Sequence, residues 1–268
     1  MSGIFDKYVI LTDLDGTVFD SQLNLLEKDV EAIKYFTANG GTYGVSTGRT
    51  MVSANPLIHR LPTNAPCIYN NGGVIIDPKS NDVKHCNYIH PDARKALKEI
   101  MNRFPNLRAA VLMGDHFYNV TEFGDGEKPF CLDVPETVAA DIDEIPDGWY
   151  KVLMNVMDHP MEEIEAFCKT LDYPEIAFMA TTSYYYEVLP KENSKAKGNR
   201  KLMEVMGWQD KTLVAIGDFY NDLEMIRTAD IGVAVANAPE DIKAEADMVV
   251  CSVLEGATAD LISRLEKM

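Results

Sequence analysis

The feature that most constrains the fold of this 268-residue chain is an alternation of short apolar strands with helices, found towards both ends of the sequence. The pattern predicts a strand from Tyr8 to Thr12, a helix from Leu26 to Asn39 and a second strand from Thr42 to Ser46. Helices and strands alternate again from Ala196 to Leu265. Because short buried strands separated by helices are typical of parallel sheets, we expect an α/β fold with a doubly wound parallel sheet.

The alternation of single strands and helices stops in the middle of the chain. An amphipathic helix is predicted from Asp92 to Phe104, a hairpin joins Arg108–Met113 to Phe117–Val120, and further paired strands follow up to Leu189. Hairpins and helices in this order indicate an α+β unit with antiparallel sheet. We therefore predict a core domain formed by residues 1–80 and 191–268, with an α+β domain inserted at residues 81–190.

Charge and composition narrow the classes of partner. The net charge of −17 repels phosphate backbones and argues against nucleic-acid binding. The longest apolar runs are far shorter than the ~18 residues of a membrane span, and we expect no membrane association. Five cysteines without a CxxC spacing favour reduced thiols and a cytoplasmic location, as does the lack of a recognisable secretory signal.

Polar clusters follow several of the predicted core strands or open the helices beside them. They are Asp13-Leu14-Asp15-Gly16-Thr17, Thr47-Gly48-Arg49, Lys195 at a helix entry, and Gly217-Asp218-Phe219-Tyr220-Asn221-Asp222. In an open parallel sheet, ligands bind off the carboxyl ends of the strands, where such loops converge. The sequence thus places carboxylates, a lysine, a hydroxyl and backbone N–H donors around one point.

This set of groups suits a phosphorylated ligand with a divalent cation. Hard oxygen ligands favour Mg²⁺, which commonly takes one or two carboxylates together with a phosphate. Without a counter-ion, a phosphate beside Asp13, Asp15 and Asp218 would be repelled, whereas Mg²⁺ and Lys195 neutralise the charge. We predict a Mg²⁺ site and a small phosphorylated metabolite as the ligand.

The arrangement closely resembles the haloacid dehalogenase (HAD) superfamily of phosphohydrolases, and within it the Cof-type subfamily with an α/β (type IIB) cap. The DxDGT motif is intact as Asp13 to Thr17, the Thr-Gly-Arg motif as Thr47 to Arg49, and the GDxxND motif as Gly217 to Asp222. Asn71-Gly72 and Glu255-Gly256 match further turns of the subfamily. The resemblance implies a Rossmann-like core with an inserted cap.

It also implies a reaction and a role for each residue. The activity would be Mg²⁺-dependent hydrolysis of small phosphate monoesters, such as sugar phosphates, through an aspartyl-phosphate. Asp13 would be the nucleophile, and Asp15 would protonate the leaving oxygen and then activate water. The remaining roles are these: Thr47, Gly48, Lys195 and Asn221 would hold the phosphoryl oxygens, Asp13, Asp15 and Asp218 would hold the metal, and Asp222 would support it.

One motif departs from the family pattern. Cof-type sequences usually open the lysine helix with Lys-Gly, but here Lys195 is followed by Ala196 and a second candidate, Lys197-Gly198, lies two residues on. Counting residues back from Gly207 across the helix favours Lys195 as the phosphate contact, with Lys197 as the alternative.

Several other residues have a structural interpretation beside a functional one. Arg49 could touch the ligand or form a salt bridge. The run Tyr184-Tyr185-Tyr186 could line a pocket, but alternating strand faces favour packing of Tyr184 and Tyr186 on one side. Asp115 and His116 could reach a substrate hydroxyl, although a solvated turn is the simpler interpretation.

Two other functions fit part of the pattern. A sugar phosphomutase of the same superfamily would share the motifs and a similar cap. A non-catalytic phosphosugar sensor would share the acidic site, as receiver domains do, but would lack the equivalent of Asp15 that drives dephosphorylation. The intact Asp15 therefore favours a phosphatase. We expect the inserted domain, rather than the core, to select the ester.

Overall fold

The computed structural model describes residues 3–114, 116–121, 136–138, 141–180 and 185–268. The chain divides into two compact units, one formed by Met1–Cys86 with Ser194–Met268 and the other by Asn87–Asn193. The strands are β1 (Tyr8–Thr12), β2 (Thr42–Val45), β3 (Cys67–Tyr69), β4 (Val74–Ile76), β5 (Val83–Cys86), β6 (Arg108–Met113), β7 (His116–Asn119), β8 (Glu136–Val138), β9 (Lys151–Asn155), β10 (Ile176–Ala180), β11 (Tyr185–Pro190), β12 (Thr212–Gly217), β13 (Ile231–Val235) and β14 (Met248–Val250). The α-helices are α1 (Glu27–Ala38), α2 (Met51–Ile58), α3 (Ala93–Arg103), α4 (Met161–Cys168), α5 (Lys195–Val205), α6 (Leu223–Thr228), α7 (Glu240–Ala244) and α8 (Ala257–Leu265).

The first unit is built on a five-stranded sheet in the order β14-β13-β12-β1-β2, and all of its strand pairs are parallel. β1 lies between β12 and β2, and every residue of β1 is buried. A strand buried on both faces has to be apolar throughout, which is why Tyr8 to Leu11 form a continuous apolar run rather than an alternating one. The predicted α/β fold with a parallel sheet is confirmed.

A small antiparallel sheet, β3-β4-β5, also belongs to the first unit. Its first two strands are joined by a turn at Asn70–Gly72, which contains the Asn71-Gly72 pair that matches the subfamily. The third strand, β5, was not predicted, because Val83 and Lys84 are both exposed and the segment has no clear apolar alternation. The prediction set the start of the inserted domain at residue 81. Since β5 pairs with β4, the second unit instead begins at Asn87.

The second unit contains a six-stranded sheet in the order β10-β11-β9-β6-β7-β8, antiparallel except for the β7–β8 pair. Helix α3 buries Ala93, Ala96, Leu97 and Ile100, which the helical repeat places on one face. That face shares a core with Val111, Val152 and Val188 of the sheet, as well as with α4. This is the α+β architecture predicted for the insertion.

The residues singled out in this unit have mainly structural surroundings. Tyr186 is buried in the core of the second unit, as the packing interpretation expected, while Tyr184 lies outside the described residues. The His116 ring lies 2.7 Å from Thr137 Oγ1, measured from Nε2, and Asp115 also falls outside the described part of the chain. In the described ranges, no helix combines the length and apolar character needed to cross a bilayer.

Candidate active site

The loop after β1 begins with a buried carboxylate. The Asp13 N–H donates to the Ile216 carbonyl of β12 (2.9 Å), so the backbone stays in the sheet up to this residue. The loop then turns at Gly16, whose φ of +77° is left-handed. A Cβ at Gly16 would lie 2.2 Å from Asp218 Oδ2, so both the backbone conformation and the space require glycine here.

Lys195 is the first residue of α5, and it lies between two carboxylates. Its Nζ is 2.5 Å from Asp13 Oδ1 and 2.5 Å from Asp222 Oδ1, and its side chain has no solvent exposure. The helix starts here because Ser194 caps it, with Ser194 Oγ accepting from the Lys197 N–H at 3.2 Å. The Lys197 side chain is exposed. The structure therefore places Lys195, and not Lys197, at the carboxylates.

A close approach between two glycines fixes the position of α5. A Cβ at Gly198 would lie 2.6 Å from Gly72 Cα, and a Cβ at Gly72 would lie 2.0 Å from the Ser194 carbonyl oxygen. Gly72 has a φ of +97°. The Asn71-Gly72 turn that the sequence singled out therefore packs against the start of the lysine helix.

The loop after β12 is organised by Asp222. Its Oδ2 accepts from the N–H groups of Asp218 (3.0 Å) and Phe219 (3.1 Å), while Oδ1 faces Lys195. The side chain is fully buried. Asp218 accepts from the Thr17 hydroxyl at 3.3 Å. Asp222 thus fixes the loop that carries Asp218.

Three carboxylates could together hold a metal ion. One oxygen from each of Asp13, Asp218 and Asp222 lies within 4.8 Å of the other two. Asp15 was predicted as a metal ligand, but its carboxylate is bound by Arg49, and Asp222 is the third member of the group. Hard, closely spaced oxygen donors are the set that Mg²⁺ binds, so these residues fit the predicted metal.

The pKa values of the residues in this cluster also favour a bound cation. Burial raises the pKa of Asp13 to about 7, and the negative charge of Asp222 adds to the effect while Lys195 opposes it. Burial, followed by the charge of Asp222, raises the pKa of Asp218 to about 6. Burial alone would lower the pKa of Lys195, but the charges of Asp13 and Asp222 outweigh it and the pKa rises. The carboxylates thus retain excess negative charge that a bound cation would neutralise.

The loop after β2 carries the predicted oxyanion contacts. Thr47 is buried, its N–H donates to the Ile68 carbonyl (2.9 Å), and its Oγ1 accepts from the Arg49 N–H (3.1 Å). A Cβ at Gly48 would lie 2.9 Å from Asn71 Oδ1, so the backbone at Gly48 closely approaches this side chain.

Asn71 joins two of the loops, a role that its sequence position did not predict. Its Oδ1 accepts from Asn221 Nδ2 at 3.4 Å, and its N–H donates to the Thr47 carbonyl at 3.1 Å. Its φ of 51° is left-handed, which asparagine tolerates better than most residues. An asparagine directly before the glycine of a predicted turn was the only sequence signal for this role.

Arg49 was weighed as a ligand contact or a salt bridge, and in this structure it forms the salt bridge. Its Nε donates to Asp15 Oδ2 (2.7 Å) and its second terminal nitrogen to Asp15 Oδ1 (2.6 Å). Lys195 binds both Asp13 and Asp222, and Asp222 accepts from the Asp218 N–H. Asp15 joins them through the loop it shares with Asp13.

Comparison with known proteins agrees with this geometry. Residues 10–262 match the family described as haloacid dehalogenase-like hydrolase. A putative phosphatase of Bacillus subtilis, YkrA, is 26% identical over 97% of this chain and 98% of its own length. The pyridoxal phosphate phosphatase YbhA of Escherichia coli is 26% identical over 90% of this chain and 92% of its own. The crystal structure of a haloacid dehalogenase-like hydrolase from Bacteroides thetaiotaomicron superposes with a TM-score of 0.82 at 26% identity, covering 96% of this chain and 98% of the other. Since the family match spans nearly the whole chain and the core is the predicted parallel sheet, the chain belongs to the haloacid dehalogenase-like hydrolase family.

Proposed function

We propose that the protein is a Mg²⁺-dependent phosphatase that hydrolyses small phosphate monoesters through an aspartyl-phosphate. The observation that carries the proposal is the fully buried Lys195 between Asp13 and Asp222, beside Asp218. A buried cation shared by two carboxylates leaves one strand-end carboxylate, Asp13, oriented but only partly neutralised. That is the environment expected of a nucleophile that meets a phosphate dianion.

In the first step, a carboxylate oxygen of Asp13 attacks phosphorus, and the bond from phosphorus to the leaving-group oxygen breaks. Asp15 gives that oxygen a proton. Lys195 contacts Oδ1 of Asp13, so Oδ2 is the oxygen available for attack.

In the second step, water attacks the phosphorus of the aspartyl-phosphate and passes its proton to Asp15. The bond from phosphorus to Asp13 breaks, which releases inorganic phosphate and restores the carboxylate. Thr47, Gly48, Lys195 and Asn221 would hold the phosphoryl oxygens while charge spreads over them. Mg²⁺ held by Asp13 and Asp218 would neutralise phosphoryl charge, and Asp222 would orient the Asp218 loop.

The substrate class we propose is a small phosphorylated metabolite, such as a sugar phosphate. The curated relatives support a small ester, since one of them is named for pyridoxal phosphate. We also propose that the inserted unit selects among esters and that the protein acts in the cytoplasm. Cys67, Cys168 and Cys251 are free thiols, which suits a reducing compartment.

Phosphate release from p-nitrophenyl phosphate and from a panel of sugar, nucleotide and cofactor phosphates tests the proposal. Asp13→Asn should remove nearly all turnover, because an amide is a very poor nucleophile of nearly the same shape. The exposed Asp210 provides the matched control, and Asp210→Asn should retain wild-type rates. Isomerised product that depends on a bisphosphate would indicate a mutase, and phosphorylation without turnover would indicate a sensor.

A further inference from the structure

Arg49 holds Asp15 by both carboxylate oxygens. The Nε–Oδ2 distance is 2.7 Å, and the bond from the second terminal nitrogen to Oδ1 is 2.6 Å. The backbone of Arg49 is itself fixed at two points. Its N–H donates to Thr47 Oγ1 (3.1 Å), and its carbonyl accepts from the Asn70 N–H (3.0 Å). The guanidinium therefore extends from a backbone position that is held by hydrogen bonds on both sides.

The two candidate catalytic carboxylates are held in different ways. Lys195 meets Asp13 at one oxygen and shares its charge with Asp222. Arg49 takes both oxygens of Asp15, and a planar fork of two parallel N–H bonds fixes the plane of the carboxylate. Each oxygen still has a further lone pair with which to accept a proton. The arrangement sets the direction in which Asp15 can accept a proton without blocking it.

A gain in folding stability does not explain why Arg49 and Asp15 form a two-point ion pair. The side chains of Arg49 and Asp15 are 29% and 47% exposed, and ion pairs as exposed as this contribute little to folding. An exposed carboxylate of this unit does not need an arginine, since Asp20 is satisfied by the backbone of Gln22 and by the backbone and amide of Asn24.

We propose that Arg49 is a positioning residue that aligns Asp15 for the second half-reaction, an inference that rests on the proposed function. In that step a water oxygen bonds to phosphorus, its proton goes to an Asp15 oxygen, and the bond from phosphorus to Asp13 breaks. Rate depends steeply on the alignment of the accepting oxygen with the water. Arg49 supplies that alignment through Asp15 and need not touch the substrate.

The test is a double-mutant cycle of Arg49→Gln and Asp15→Asn, with p-nitrophenyl phosphate and Mg²⁺ in a rapid-quench instrument. Nitrophenolate needs no proton to leave, so formation of the phospho-enzyme should stay near wild type in Arg49→Gln. Hydrolysis of the phospho-enzyme should slow roughly 10- to 100-fold, so that the adduct accumulates. In the Asp15→Asn background, Arg49→Gln should have no further effect. Arg49→Lys should recover only part of the rate, because an ammonium lacks the planar two-point fork.

Arg264 provides the matched control, because it binds both oxygens of Asp260 on α8 (2.9 and 2.8 Å). Arg264→Gln should leave both steps unchanged, and thermal melting of every variant checks that it is folded. Additive effects of the two changes, or a raised KM with equal slowing of both steps, would show that Arg49 acts on the substrate and would overturn this inference alone. A folded wild-type enzyme that forms no phospho-enzyme would contradict the proposed function and, with it, this inference.

Discussion

Replacing Lys195 by methionine should destabilise the protein far more than replacing any exposed lysine. Methionine keeps most of the side-chain length and removes the charge. Asp13 and Asp222, whose side chains are 7% and 0% exposed, then lose their shared cation. Removing one partner of a buried ion pair costs about 3–5 kcal/mol. That is a large fraction of the ~5–15 kcal/mol by which a typical domain is stable.

The loss should also depend on pH. Burial has already raised the pKa of Asp13 to about 7 in the folded protein, against 3.8 as its ordinary value, and Lys195 opposes that rise. When folding raises the pKa of a carboxyl, the free energy of unfolding of the protein falls as pH rises from the unfolded-state pKa to the folded-state pKa. Without Lys195 the folded pKa of Asp13 rises further, so the variant continues to lose stability above pH 7 where the wild type does not. The difference between the two proteins should be larger at pH 9 than at pH 6.

Urea denaturation of EDTA-treated protein at the two pH values measures this. Lys201→Met is the matched control, because Lys201 lies on the same helix in an exposed pair with Glu204 (3.0 Å) and should contribute less than about 1 kcal/mol. If Lys195→Met costs no more than Lys201→Met at pH 9, the buried cation does not hold the carboxylates together.

Three further predictions follow from the site. Hydrolysis should stop with EDTA. Mg²⁺ should raise the melting temperature more at pH 8 than at pH 5.5, because Asp13 and Asp218, with pKa values of about 7 and 6, must lose their protons to bind the ion. Equal shifts of the melting temperature at both pH values would contradict the assignment of these residues as metal ligands. Asp15→Asn should accumulate a phospho-enzyme detectable by mass spectrometry with p-nitrophenyl phosphate, and no adduct would mean that Asp15 is not the base of the second step. Gly16→Ala should lose about 1–3 kcal/mol and most activity through strain and contact with Asp218, whereas Gly207→Ala, equally left-handed but with open space at its Cβ, should lose stability and keep activity.

The parallel core could be predicted from sequence because its inner strands, such as β1, are buried on both faces. The apolar run from Tyr8 to Leu11 needs no partner to be recognised as a strand, and the strand-end rule then places Asp13 and Asp218 at the same edge of the sheet. β5 could not be predicted in the same way, because an exposed edge strand does not need an apolar pattern.

The choice between Lys195 and Lys197 depends on where a helix begins. Residues two positions apart point about 200° apart around a helix, so only one of the two lysines can face the carboxylates. The Ser194 cap decides which one, and a single serine is a weak signal in a sequence. The turn of Asp15 towards Arg49 depends on the conformations of two side chains from separate loops, which no local pattern encodes.

The order of strands in the core sheet has a consequence for how the chain is assembled. All six strands of the second sheet lie between Arg108 and Pro190, so this sheet has every hydrogen-bonding partner before Ser194 is synthesised. β1, by contrast, pairs with β12 across the whole insertion, and Asp13 meets Lys195 only after the insertion has been made. Because domains fold as units during synthesis, the inserted unit can form on the ribosome while the central strand of the core still lacks a neighbour. The cluster around Lys195 can therefore form only after the whole inserted unit has been synthesised.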